Sequence, residues 1–226
     1  MAADWSYTLR TQPESARGVA LLTRCRVPLR LQYHGTWDPA DEYWGEPDDP
    51  IDPIFQRVID AGTRPECEME QVLPGQDPED LDDDIIRSAE LRDAGFPDQA
   101  RALLTTMIAA DPRCVDAHVH LGNLLFDTNP KRALAHYQTG AAIGEQALPL
   151  GYGGVLPWGW IDNRPFLRAL NGMSICLWRL RRFDEADAAV DAQLWLNPSD
   201  QVGARFIRDD VRNRVAWKRE GADHGR

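Results

Sequence analysis

Paired cysteines are missing from this chain of 226 residues. Cys25, Cys67, Cys114 and Cys176 lie 42 or more residues apart and form no C-x-x-C, which speaks against a zinc framework or a disulfide scaffold. Those that fall in predicted helices are expected to be free and buried, as small hydrophobes. Lysine is nearly absent, with 2 residues against 23 arginines, a bias expected of a GC-rich bacterial genome and not of a nucleic-acid binder. Long apolar runs are lacking too. The best candidate, Val19 to Leu31, is broken by Arg24, Arg26, Pro28 and Arg30, short of the roughly 18 to 20 residues that cross a bilayer. Met1-Ala2-Ala3-Asp4-Trp5 does not run from basic to apolar as a secretory leader does, so a cytoplasmic protein without membrane contact is expected. G-x-S-x-G, G-x-x-x-x-G-K-[ST] and H-E-x-x-H are absent, and nothing sets a nucleophile beside a base. No enzymatic activity and no cofactor are expected. A site built from scattered residues near 151–168 is the least favoured alternative.

What is present is enough to fold. Apolar residues make up 43% of the chain, too many for a disordered tail and sufficient for a sizeable core. The net charge of −11 argues against a phosphate-backbone partner. That charge is concentrated: Asp38 to Asp93 holds 19 acidic and 4 basic residues, so the remainder is slightly basic. Mutual repulsion favours reading this segment as a solvated, extended linker. The alternative is that it lies against the Arg-rich C-terminal part and competes with an acidic partner.

From about Leu81 onward a helical-hairpin pattern recurs. The first copy, Leu81 to Asp111, places Ser88, Leu91, Gly95, Ala100 and Leu104 at small and bulky positions and closes on Pro112. The second begins near Val115 with Ala117-His118-Val119-His120-Leu121-Gly122-Asn123-Leu124-Leu125, turns at Asn129-Pro130 and supplies Ala133 and Tyr137. The third, Leu167 to Pro198, carries Arg182-Phe183-Asp184-Glu185-Ala186 and closes on Asn197-Pro198. Small residues let helix backbones approach, and bulky ones fill the gaps between hairpins. After Pro198, Ser199 or Asp200 can cap one more helix, with Val202, Phe206, Val211 and Val215 on an apolar face and Arg and Asp turned outward.

These residues resemble the tetratricopeptide repeat (TPR) family, and 157–206 resembles a group of uncharacterised bacterial members through Pro157-Trp158-Gly159-Trp160, Asn163-Arg164-Pro165-Phe166-Leu167-Arg168 and Leu194-Trp195-Leu196-Asn197-Pro198-Ser199-Asp200. The fold implied for 81–220 is an all-α, TPR-like superhelix of about three helical hairpins plus a C-terminal capping helix. The function implied is a non-catalytic module that binds a protein or peptide in its concave groove, with an acidic partner suited to the arginines offered. The alternative is a homo-oligomerising structural protein, a homodimer.

Residues 1–80 fit no repeat and are expected to be irregular. Alternation of Val19, Leu21, Cys25, Val27, Leu29, Leu31 and Tyr33 with polar residues predicts a strand, with a shorter echo in Trp5, Tyr7 and Leu9. Ile51 to Asp60 predicts one helix, Pro53 in its first turn.

Between the second and third hairpins lies a Gly- and Trp-rich insertion, 144–165, long for a connection in a helical stack. It either packs as a wedge or takes part in recognition. In the family's register, His120 and Asn123, and Arg168, Asn171 and Trp178, face the concave groove. With Trp158, Trp160, Asn163 and Arg164 from the insertion they form the expected partner-binding set, arginines for carboxylates and Trp178 as an apolar anchor. Cys114, His118, His120 and His136 make a poor metal constellation, because His118 and His120 point apart on a helix.

Overall fold

Proline decides where many of the helices begin. It occupies the first or second position of five of the eight α-helices among the described residues, where its missing N–H costs no hydrogen bond. The computed structural model describes residues 29–46, 48, 50–73, 75 and 78–218. In chain order these form β1 (Leu29–Trp37), α1 (Pro53–Asp60), β2 (Arg64–Gln71), α2 (Pro78–Asp93), α3 (Pro97–Ala110), α4 (Val115–Leu125), α5 (Pro130–Ala147), α6 (Arg164–Arg179), α7 (Phe183–Leu196) and α8 (Ala204–Arg212). The described chain is thus mostly helical, with one small two-stranded sheet. Polar side chains close several helix starts. Asp52 accepts from Ile54 N at 3.0 Å, Asn129 from Arg132 N at 3.1 Å, and Asp200 from the amides of Ala204 and Arg205 at 2.8 Å each.

From α2 to α8 each helix packs on the next, and α2, α4, α6 and α8 also pack on one another in series. The expected hairpins fall at α2/α3, α4/α5 and α6/α7. Tyr137 of α5 is the pin between two of them. A Cβ added at Gly122 of α4 or Gly172 of α6 would lie 2.6 Å or 2.3 Å from its ring, so both helices close onto the ring only because those positions carry no side chain. Tyr137 then donates to Asn123 Oδ1 at 2.6 Å. Gly144 does the same for Phe166, whose ring a Cβ would meet at 2.1 Å. Gly144 to Ala147 are accordingly still helical, and Arg164 and Pro165 already open α6, which shortens the irregular insertion to 148–163.

The terminal helix departs from its expected face. Phe206 is 80% exposed, and the buried side of α8 is Ala204, Arg208 and Val211. Electrostatics decides this. Arg208 turns inward to pair with Asp191 of α7 at 3.0 Å, while Arg212 and the following Arg214 pair with Asp187 and Asp184 at the surface, at 2.9 and 2.6 Å. Arg208 also pairs with Asp52, the cap of α1, which ties the acidic segment to the end of the stack.

Of the strand expected from Val19 to Tyr33, residues 19–28 lie outside the described residues, as do Trp5, Tyr7 and Leu9. Residues 29–33 are strand, and β1 runs on to Trp37 through an irregularity between Tyr33 and Gly35. Its antiparallel partner β2 lies where a linker was expected. Cys67 and Met69 point in and are wholly buried, while Glu66, Glu68 and Glu70 alternate with them. Leu29, Leu31, Trp37, Cys67 and Met69 join the same core as Val119, Tyr137 and Leu170, so the sheet is part of one hydrophobic interior with the hairpins. Cys114 and Cys176 are likewise free and buried.

Candidate functional site

The insertion is held by the free edge of β2. Val155 joins that edge as a parallel bridge, donating to Pro65 O at 2.8 Å and accepting from Cys67 N at 3.0 Å. Asn163 continues the pairing with a side chain in place of backbone. Its Oδ1 accepts from Met69 N at 2.8 Å, and its Nδ2 donates to Cys67 O at 2.9 Å and Pro157 O at 3.0 Å. These contacts satisfy an edge that would otherwise present unpaired amides. Arg64 completes the attachment. Its guanidinium donates to Gly153 O and Gly154 O at 2.8 and 2.7 Å and lies 4.0 Å above the Trp195 ring, and burial lowers its pKa to about 9.

Asn163 is therefore not available to a partner: it is fully buried and its amide is spent on the loop and β2. Trp160 is engaged as well, stacked on His34 at 3.7 Å and donating to Glu66 at 2.6 Å. Most of the insertion is thus packed against β2 and its neighbours.

Trp158 is the exception. It sits half-buried at the start of α6 with two guanidinium groups on its ring, Arg164 at 5.2 Å and Arg168 at 5.4 Å, while Arg164 Nε donates to Trp158 O at 3.1 Å. One helical turn links Arg164 to Arg168, and Asn171, Ile175 and Trp178 continue the same face of α6. On α4 the equivalent face carries Asp116, His120 and Asn123. The two helices meet here. Arg168 lies 3.9 Å from Asp116 Oδ1, and His120 lies 3.8 Å from the same oxygen.

Burial and charge set the states of these groups. Burial raises the Asp116 carboxyl to about 6, with Arg168 opposing and Asp82 of α2 adding to the rise. Burial lowers His120 to about 4, and the positive charges of Arg168 and Arg92 add to the fall. At neutral pH the group consists of an ionised Asp116, a neutral His120 and a cationic Arg168. Beside it, burial and the carboxylates of Glu68, Glu70 and Asp82 raise Asp162. The combination offers fixed hydrogen-bond donors, a flat cation–π surface and paired charge, with no nucleophile placed against a base. His118 is separate. Its Nε2 donates to Pro112 O at 2.9 Å and its Nδ1 accepts from His136 at 3.2 Å.

Trp178 lies at the other end of the α6 face and is 8% exposed. It is covered by chain that follows α8: Trp178 Nε1 donates to Val215 O at 2.8 Å. Trp217 meets Phe126 edge-on at 6.1 Å and lies 4.7 Å below the Arg179 guanidinium. Ile175, Trp178, Phe206, Ile207 and Asp210 border a cavity of about 670 Å³ beside this segment. The expected site thus divides. Trp158, Arg164, Arg168 and His120 gather where the N-terminal half of α6 meets α4, with Asn171 midway along α6, while Asn123 lies near the C-terminal end of α4 and accepts from Tyr137. Trp178 belongs to an apolar slot between α6 and α8, beside Phe126. Asp116, one turn before His120, and Trp217 carry no signal that was read in the sequence, and Val215, expected on the apolar face of the terminal helix, lies beyond its end.

Compared with protein-family models, with curated proteins and with solved structures, the chain matches none.

Proposed function

We propose that this chain is a non-catalytic protein-binding module, a TPR-like stack of three helical hairpins that takes a peptide or protein partner along the face shared by α4 and α6. One observation carries the reading: the first helices of two successive hairpins meet at Asp116, His120 and Arg168, and the α6 face runs on from this polar end to Trp178 in an apolar slot beside α8. The polar end has donors already fixed in place, Arg168 and Arg164 on the Trp158 ring, which suits carboxylate or backbone oxygen atoms of a partner. Preorganised side chains lose little freedom on binding, so affinity is not spent on ordering them. Affinity capture from the native host tests this, comparing wild type with Arg168→Ala and Trp178→Ala. A partner held by wild type and lost by Arg168→Ala supports the face; equal recovery by both variants refutes it.

A second reading, self-association, draws on exposed apolar side chains, Phe206 at 80%, Ile161 at 66% and Phe96 at 52%. Light scattering decides it, since a strict monomer across concentration removes it.

A further inference from the structure

The apolar slot between α6 and α8, beside Phe126 at the end of α4, is already covered by a segment of the chain's own. Asn213 ends α8, and Arg214 reverses the chain in the left-handed region at φ 54°, where a non-glycine residue is strained. Val215, Ala216 and Trp217 then run back across α6 toward α4. Val215 N still closes the end of α8, donating to Asp210 O at 2.8 Å, and beyond that amide the attachment has the two parts of a bound ligand: a backbone carbonyl taken by the Trp178 indole, and one aromatic side chain, Trp217, held between Phe126 and Arg179. Arg179 is itself fixed, donating to Phe126 O. The segment does not fill its site. Val215 is 41% exposed, Phe206 is 80% exposed, and about 670 Å³ stays open beside Trp178, a volume in the usual range of ligand sites.

We infer that this slot binds an extended peptide segment carrying an aromatic side chain two residues after the carbonyl that Trp178 engages, and that Val215-Ala216-Trp217 is a resident occupant which a partner segment of that kind displaces. The recognition is by backbone plus one aromatic anchor, so any segment that reproduces both can compete. The resident segment has the advantage of attachment: a short tether gives it an effective concentration on the order of mM. A free segment of micromolar intrinsic affinity is therefore masked in the intact chain. The inference names one partner chemistry for the proposed groove and rests on the apolar end alone.

The test uses the full chain and a labelled peptide Arg-Val-Ala-Trp-Lys, followed by fluorescence anisotropy. Trp217→Ala empties the anchor position and is expected to bind the peptide at least about tenfold more tightly than wild type. The peptide with alanine in place of its tryptophan should not bind, and adding Trp178→Phe to Trp217→Ala should weaken binding. Equal affinity for wild type and Trp217→Ala overturns the inference, as does no binding to a Trp217→Ala chain with wild-type circular dichroism. Should Trp217→Ala unfold, hydrogen exchange on wild type decides: faster exchange at 215–218 under excess peptide supports displacement, and unchanged exchange refutes it. Failure here, with Arg168→Ala still losing its partner, removes the resident-peptide idea and leaves the groove. Retention by Arg168→Ala does the reverse.

Discussion

The α6 helix is held in opposite ways at its two ends, against α4 and the insertion at one, and against α8 and the chain that follows it at the other. At the N-terminal end, Asp116, His120, Arg168 and Trp158 hold one another, and the insertion behind them is fastened to β2 through Asn163, Val155 and Arg64. At the C-terminal end, Trp178 is covered by a segment held through two hydrogen bonds, Trp178 Nε1 to Val215 O and Val215 N to Asp210 O, and through the contacts of Trp217 with Phe126 and Arg179. The first arrangement is preorganised and the second is exchangeable. A fixed polar end sets register and charge selection, while an exchangeable apolar end can admit different side chains.

The largest effect should come from removing what both ends share. Gly172→Val drives a side chain into the Tyr137 ring and should cost about 3 kcal/mol or more, read as a lowered denaturation midpoint, with both ends loosened together. A stability within error of wild type would mean that Tyr137 does not pin α4 to α6. Next in size, Asn163→Ala leaves Met69 N and Cys67 O without partners in a buried site and should cost about 2 to 3 kcal/mol. Hydrogen exchange should then quicken at 64–71 and 150–163 and stay unchanged at 215–218. Equal quickening at 215–218 would erase the distinction between the ends.

Acidity separates the components of the polar end. His120 is lowered from 6.5 to about 4, so its contribution to stability is whole above 6.5 and is lost as pH falls through 4. Asp116 is raised from 3.8 to about 6, so its contribution is whole below 3.8 and is lost as pH rises through 6. Between pH 4 and 6 the two oppose, each on the order of 2 kcal/mol. Relative to wild type, Asp116→Asn should become more acid-sensitive in that window, and His120→Gln should lose stability as pH rises. Parallel melting-temperature profiles for all three proteins would contradict this placement. The smallest effect is expected at the other end: Trp217→Ala should cost about 1 kcal/mol of global stability while shifting Trp178 fluorescence to the red. A cost comparable to Asn163→Ala would make the segment part of the core.

The helices were legible because their signals are local. Pro53, Pro97 and Asn129-Pro130 mark starts, and Gly122, Ala133, Tyr137, Phe183 and Ala186 mark where hairpins touch. What stayed hidden depends on distant partners. β2 alternates Cys67 and Met69 with three glutamates, and in a Pro- and acid-rich stretch that pattern reads as linker. Asn163 bonds to residues 94 and 96 positions earlier in the chain, so its neighbours in sequence do not mark it as structural. Phe206 was assigned inward by apolar spacing, and three arginine–aspartate pairs with α7 turned the helix the other way. Of the expected site, Arg164 and Arg168 share a face of α6 by helical spacing and meet His120 through Asp116, while Trp158 reaches them from the insertion, held by Asn197 and Arg164. Trp178 and Asn163 do not join them, because a tail and a strand edge claim them.

Amide hydrogen exchange of the full chain with and without a captured partner tests the central claim most directly. The account predicts protection along 116–123 and 164–178, the first helices of the second and third hairpins. Protection confined to α3, α5 and α7, with 116–123 and 164–178 unchanged, would contradict it.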